Sequence, residues 1–583
     1  MSKKSSNSAP DLGKNKDLKL FRTLILVCLL SLSPWIVAGT ELISNNPYWF
    51  GGTDAFTTTQ GNDFWLTFIN NNGFDPDKPE NQTVKFEMKV AVSAREAVDV
   101  NIAYGNTILT TLNVPAGTTQ IYEIPRALTQ QIYLFESEQN GKSGVHVYTA
   151  PTTPENKKKV FSCFLYSRTN DSPITSRDAS LVIPTRFLGK EYIIQTYPED
   201  VYSSEFGIVA TEDGTTVTIT PTFQTDGGNA AGTAFDVTLS KGQAYLVATQ
   251  RREEGSTDFN ADFSGTTLCA DKPIAVFTGN QQTGIPNKEG YSQDFMVEQA
   301  LPLTQFGTEF YLTGLTNTLS NYADIVALYD NTDVTITTYD KSTGAVNTFP
   351  VTLNRGGTLQ KLPPDSVMLD LHDELNNEVI IRTSAPVSCI SYTSTAAENK
   401  ICTTVGWSQK CFIYGDPSSA IMPHWGLRTN AMTFFTEVLD PQVNGTPQHF
   451  YAYVVTAASD INTFTLNGAP VASSEFHAFQ ADPTKAYAHL QLPDAAGANY
   501  NLLESTGGGF VGMVYGITEA QAYYYTLGFK PEAHPDSLYV THTDEVVMSK
   551  ASYDLDSLDG HGWYQRQWDE WMPDHEQLDT AIV

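Results

Sequence analysis

Ile208 to Thr220 reads IVATEDGTTVTIT and Ile325 to Thr337 reads IVALYDNTDVTIT, nine identities in thirteen at a spacing of 117 residues. Each copy opens on an apolar run, passes an Asp-Gly or Asp-Asn pair, and closes on Val-Thr-Ile-Thr. That closing period of two belongs to a strand with one buried face. The pattern predicts a β-hairpin in each copy, with Asp213 and Asp330 as turn formers rather than catalytic acids. Other landmarks keep the same order around it. A glycine, a spacer, an acid and an aromatic recur at Gly61-Asn62-Asp63-Phe64, Gly189-Lys190-Glu191-Tyr192 and Gly307-Thr308-Glu309-Phe310. A strand and a glycine turn follow, at Val237 to Gly242 and Val351 to Gly356, with Thr111 to Gly117 a looser copy. Apolar strands then close the units, at Val160 to Tyr166, Ile274 to Thr278, Val387 to Tyr392 and Phe510 to Tyr515.

These landmarks divide the chain into four units, about 61-167, 189-280, 307-394 and 430-517, within a repeat domain 61-529. The fold class is all-β: four antiparallel β repeats of about 90 to 110 residues whose neighbours complete one another's cores. Two architectures remain open, a β-propeller-like closed array and a row of tandem Ig-like β-sandwiches. Long segments join the units, Arg168 to Leu181, Gln281 to Leu301 and Thr395 to Met422. They carry no strong period and read as loops, and loops of this length are often functional. Two of them share a word, Gly290-Tyr291-Ser292-Gln293 and Gly406-Trp407-Ser408-Gln409. Equivalent points of a repeat array fall on one side, so these loops are expected to line one face. Tyr291, Gln293, Trp407, Gln409, Tyr414 and Trp425 are the candidate ligand-binding residues, because aromatic and amide side chains stack on sugars and make adaptable hydrogen bonds.

Of 583 residues, 35 are Lys or Arg and 65 are Asp or Glu, a formal charge of -30. Such a surface repels phosphate backbones and anionic headgroups, which argues against nucleic acid as a partner. Residues 1-39 read as a signal peptide: six basic side chains precede the apolar run from Thr23 to Val37, and Val37-Ala38-Gly39 offers small residues for cleavage. The run is short for a bilayer span, and no later stretch approaches one. Its removal leaves 29 basic against 63 acidic side chains, or -34, on an exported chain that is extracellular, at a cell surface or periplasmic. Residues 40-60 form a lead segment, and 530-583 an acidic tail with few strand signals, read as partly disordered. Asp554, Asp556 and Asp559 miss the spacing of a calcium loop, and the Asn70 to Asp77 loop likewise reads as a solvated segment.

Five cysteines remain after export. Cys163 and Cys389 sit in strand-like runs and are expected in the core, while Cys402 and Cys411, nine apart in a polar loop, are a candidate disulfide. No metal site and no cofactor are expected. Serine-hydrolase, zinc-protease and phosphate-loop motifs are all missing, so no catalytic residues are expected and the chain is not read as an enzyme. A glycoside hydrolase survives as the lesser reading, because paired carboxylates need only meet in space.

Gly189-Lys190-Glu191-Tyr192, the Ile208 to Thr220 segment, Asp271-Lys272-Pro273-Ile274-Ala275-Val276-Phe277-Thr278-Gly279 and Val297-Glu298-Gln299 with Leu301-Pro302 together resemble the IgGFc-binding protein N-terminal domain family, best from about Phe187 to Ser394. The family occurs in a mucus-associated animal protein and in many bacterial exported proteins. The resemblance implies an extracellular binding or adhesive role toward mucin or immunoglobulin glycoproteins, and no catalytic residues. This chain departs from the family in having no cysteine between Gln281 and Asp294. It also lacks the von Willebrand type D modules of the animal protein, and Gly415-Asp416-Pro417-Ser418 lacks the His of their self-cleaving motif. The expected function is therefore a secreted or surface adhesin recognising a glycoprotein through its inter-repeat loops, with a structural component of a surface layer or fibre as the alternative.

Overall fold

The computed structural model describes residues 58–71, 74–75, 85–171, 174–198, 202–251, 261–286, 293–317, 321–340, 343–359, 361–362, 367–368, 377–395, 400–405, 408–439, 447–493, 499–531, 538–541 and 545–548. They form an all-β protein of several antiparallel sheets with a few short helical turns. The second unit shows the plan. Its long strand Thr267–Thr283 is the spine of one eight-stranded antiparallel sheet, and its two halves have different neighbours. Gly189–Ile193 and Thr215–Thr220 flank its first half, with Phe235–Leu239 outside Thr215–Thr220. Ser204–Ala210 and Asp294–Gln299 flank its second half, with Gln243–Ala248 outside Ser204–Ala210. The changeover falls at Asp271-Lys272-Pro273, where the register slips between Gly189↔Ile274 and Glu191↔Cys269. Proline cannot donate to a ladder, so a bulge is where it fits.

The strands along the two halves of the long strand enclose a core of Phe206, Ile208, Val217, Ile219, Val247, Leu268 and Val276. Thr215–Thr220 alternates buried and half-buried residues, as its period of two predicts. Each enclosed Val, Ile or Phe contributes about 1.5–3 kcal/mol. The predicted hairpin is corrected, however. Ile208 pairs with Val276 and Val217 with Ala270, so both strands run antiparallel to the same long strand rather than to each other. The third unit repeats this, with Ile325↔Cys389 and Val334↔Thr383. The Asp-Gly and Asp-Asn segments carry the chain from one half of the long strand to the other, turning through Gly214 at φ 64° and Asn331 at φ 55°. The aspartates do hold turns: Asp213 Oδ1 accepts the Lys241 N–H at 2.9 Å, and Asp330 Oδ1 accepts the Arg355 N–H at 3.0 Å.

The first and fourth units follow the same plan with the long strand broken, into Val145–Thr149 and Ser162–Asp171 and into Asn499–Ser505 and Phe510–Thr518. The opening glycines are explained by close approach. A Cβ on Gly61, Gly189 or Gly307 would lie 2.6, 2.4 or 2.0 Å from Pro184, Pro302 or His424 respectively. The beginning and end of the repeats also meet, where the Thr59 N–H donates to the Phe529 carbonyl at 2.8 Å and the Phe529 N–H donates to Thr59 Oγ1 at 3.1 Å.

The segments read as joining loops each supply a strand instead: Ile174–Val182, Asp294–Gln299 and Ser419–Ile421, with Gln521–Thr526 in the fourth unit. Each pairs on one edge with its own unit's long strand. The other edge has no ladder partner and faces other inner strands. Ile174–Val182 and Ser419–Ile421 each pack against both Asp294–Gln299 and Gln521–Thr526. Side chains take the place of the missing ladder. Asp178 Oδ2 accepts the N–H of Val297 (3.1 Å) and of Ser419 (3.4 Å), and Oδ1 accepts those of Tyr524 (3.2 Å) and Ala179 (2.9 Å). One carboxyl group therefore serves all four units. Two residues on, Ser180 Oγ accepts the Gln299 N–H at 2.8 Å and donates to Glu298 Oε2 at 2.8 Å, and Thr526 Oγ1 donates to the Ile421 carbonyl at 2.6 Å. The equal steps mean that the four inner strands run parallel.

Burial raises the pKa of Glu298 to about 8, against hydrogen bonds from Ser180 and from the backbones of Thr526, Ile421 and Gln299. Burial also raises Asp294 to about 8 and pushes Asp178 well up, with the neighbouring Glu298 charge adding to the rise at Asp178. A carboxyl that keeps its proton to about 8 when folded, but loses it near 4 when unfolded, stabilises the fold fully below 4, and that stability is lost as pH rises through 8. Denaturant unfolding at a series of pH values is expected to show stability falling between pH 4 and 8, on the order of 1 kcal/mol per pH unit from Glu298, and Glu298→Gln should flatten that slope. Asp178→Ala strands three buried donors of other units and is expected to lower unfolding free energy by about 4 kcal/mol or more. A urea midpoint equal to that of the wild type would show that the side-chain ladder carries no weight.

Candidate functional site

The register within each unit sorts its connections into two ends. In the second unit Ser204↔Asn280, Glu205↔Ala248 and Thr283↔Asp294 lie together at one end. The first unit matches with Lys85↔Asn170 and Asp171↔Ile174, the third with Asn321↔Thr393, and the fourth with His449↔Ile517 and Thr518↔Gln521. Because the inner strands run parallel, these ends share one side of the molecule. The long connections emerge there, among them 124–141, 249–266, 284–293 and 394–418. Short turns such as 115–117, 211–214, 240–242 and 354–357 occupy the other side. One face is made of short turns and the other of long connections, the division on which binding surfaces are commonly raised.

Of the six candidate residues, Gln293, Gln409 and Tyr414 belong to connections on the loop face. Tyr291 and Trp407 lie outside the described residues. Gln293 is half-buried and directly precedes the inner strand Asp294–Gln299. Gln409 lies in Ser408–Ile413, which pairs with Lys400–Val405 in a two-stranded sheet where the sequence predicts only a polar loop. Tyr414 is buried, its ring 5.8 Å from that of His449, and burial raises its pKa. Trp425 is the exception: it falls in the turn Trp425–Leu427 beyond the inner strand, on the short-turn side. Its ring is held between the Arg428 guanidinium at 4.2 Å and the Lys485 ammonium at 4.8 Å, with Tyr311 edge-on at 5.8 Å. The half-buried indole thus ties the third and fourth units together.

Cys163 and Cys389 are buried free thiols in their strands, as expected, and Cys269 is half-buried in the long strand Thr267–Thr283. Burial raises the pKa of both core thiols. The backbone register sets Cys402 directly opposite Cys411. The Asn70 to Asp77 loop is corrected at its start, where Asn70 and Asn71 are buried rather than solvated. Asn71 donates its N–H to Tyr133 Oη at 2.7 Å, and Asn70 Nδ2 donates to the Phe135 carbonyl at 3.1 Å. These contacts pin the connection that holds Phe135, Glu136 and Ser137 on the loop face. Asp554, Asp556 and Asp559 lie outside the described residues. Among the described residues no three His, Cys, Asp or Glu side chains gather to hold a metal ion, and no helix is long and apolar enough to cross a membrane.

Sequence reasoning missed a polar group at the junction of the first two units. Glu205 is fully buried and accepts from Gln281 Nε2 at 2.9 Å, and Gln281 Oε1 accepts from Arg251 Nη2 at 2.9 Å. Burial pushes the Glu205 pKa well up. The only signal was an acid set directly ahead of the apolar run Phe206 to Ala210.

Compared with known families, residues 178–516 match the model described as IgGFc binding protein. The matched span runs from the first inner strand to the end of the fourth unit's long strand. A comparison with curated proteins finds no match.

Proposed function

The chain belongs to the IgGFc-binding protein family, and from that premise we propose that this extracellular binding protein recognises a glycoprotein of the mucin or immunoglobulin class through the connections on its loop face. The observation that carries this reading is the parallel run of the four inner strands, which brings equivalent connections of four units to one side. A rigid base of short turns stands behind them, so the loops can vary without loss of the core. The mutual packing of the inner strands supports a closed, propeller-like array over four independent sandwiches in a row, since free sandwiches have no reason to share one buried carboxyl group. Export through residues 1-39 belongs to the same reading.

The ligand contacts are assigned to Tyr291, Gln293, Trp407 and Gln409, and Cys402 with Cys411 closes a disulfide between the paired strands Lys400–Val405 and Ser408–Ile413. Directly opposed strand positions lie within the separation a disulfide spans.

Immobilised mucin and immunoglobulin G, probed by interferometry, test the reading. Tyr291→Ala with Trp407→Ala is expected to weaken binding at least tenfold, about 1.4 kcal/mol, at an unchanged melting temperature. Wild-type protein that binds neither glycoprotein, or a folded double variant that binds as well as wild type, sinks it. Intact-mass measurement after alkylation under denaturing, non-reducing conditions should find Cys402 and Cys411 unmodified and Cys163, Cys269 and Cys389 labelled; labelling of all five rules out the disulfide.

A further inference from the structure

On the loop face, where the first and second units meet, a cavity of about 290 Å³ opens. A water molecule's share of liquid is about 30 Å³, so the space holds on the order of ten waters, room for one sugar ring rather than a peptide. The repeat itself shows why the space exists. Five residues beyond the partner of each opening glycine (Phe161, Ile274 and Val387), the long strand places Tyr166, Gly279 and Tyr392. Tyr166 is paired with Lys89 and Tyr392 with Tyr322, but Gly279 is paired with Glu205, which in turn faces Ala248. The second unit therefore lacks the large side chains that fill the other two junctions. It cannot regain the tyrosine either, for a Cβ on Gly279 would lie 1.8 Å from the Met296 carbonyl oxygen.

The lining is polar in both senses. Gln281, buried and anchored on Glu205, orients the Arg251 guanidinium beside the cavity. Ser137 Oγ accepts the Ala248 N–H at 2.9 Å and keeps its proton to donate, whereas Ser203 Oγ donates to the Thr249 carbonyl at 2.9 Å and keeps lone pairs to accept. Glu136 and Asp226 add carboxylate acceptors, and Phe135 supplies an apolar surface. Sugar hydroxyls donate and accept at once, and they call for this alternation beside an aromatic ring. Two carboxylates against one guanidinium, on a chain of net charge -30, oppose an acidic sugar.

We propose that this cavity is a subsite for one neutral monosaccharide unit, held by Arg251, Ser137, Ser203, Glu136 and Asp226 against Phe135. It rests on the glycoprotein-binding reading and names the chemistry of one contact within it.

Saturation-transfer NMR and titration calorimetry on the full chain, with galactose, N-acetylgalactosamine and N-acetylneuraminic acid as probes, test the subsite. The neutral sugars are expected to bind more tightly than N-acetylneuraminic acid. Arg251→Ala with Asp226→Ala, at exposed side chains, should weaken them at least tenfold, and Ala248→Phe should block the space. Should Ala248→Phe not fold, the exposed pair still decides. Neutral-sugar binding unchanged in the folded variants, a preference for N-acetylneuraminic acid, or no sugar signal from folded wild type overturns the subsite. The mucin assay runs beside it on the same samples. Mucin binding without any sugar signal overturns the subsite and leaves the glycoprotein reading standing. Sugar binding that falls tenfold in the variants, with no mucin or immunoglobulin bound, supports the subsite and overturns that reading.

Discussion

A strand that pairs on only one edge leaves a row of backbone N–H and C=O groups on the other, and buried groups of this kind must find partners. Four such edges converge in this protein. Strands running parallel at the centre could not all join one sheet, because each already completes the sheet of its own unit. The solution is chemical: carboxyl and hydroxyl oxygens of Asp178, Ser180, Asp294 and Glu298 accept the orphaned N–H groups in place of a neighbouring carbonyl. The arrangement commits each unit to its neighbours, since removing one unit would strand the donors that its inner side chains satisfy.

The same chemistry explains what the sequence conceals. Strands whose core face is apolar were legible: Val217 and Ile219 alternate with threonines, and the copy beginning at Ile325 repeats them. The inner strands were not, because Ser176, Asp178 and Ser180 also alternate, but with the polar side buried. A reading in which polar means solvated turns such a strand into a loop. The hairpin misreading has a related cause. An Asp-Gly turn between two strands looks the same whether the strands pair with each other or pass in succession along a third, and only the long strand's register distinguishes them.

For the site, the repeated word Gly-aromatic-Ser-Gln rests on position in a repeat, which is geometry. Aromatic character alone does not fix where a side chain ends up. Tyr414 and Trp425 satisfy it equally, yet one is buried against His449 and the other serves as a platform for two cations on the far side. The Glu205, Gln281 and Arg251 group escaped notice because its members are 30 to 76 positions apart. It becomes visible only when the junctions at Tyr166, Gly279 and Tyr392 are compared, for it stands where the repeat is least faithful to itself.

The bond between Thr59 and Phe529 joins the two ends of the repeat region beside the short turns. Thr59 and Phe529 therefore set the two flanks of the repeat region at one spot, opposite the long connections. A tether made at that spot would hold the protein by its back, directing its long connections outward to whatever passes by.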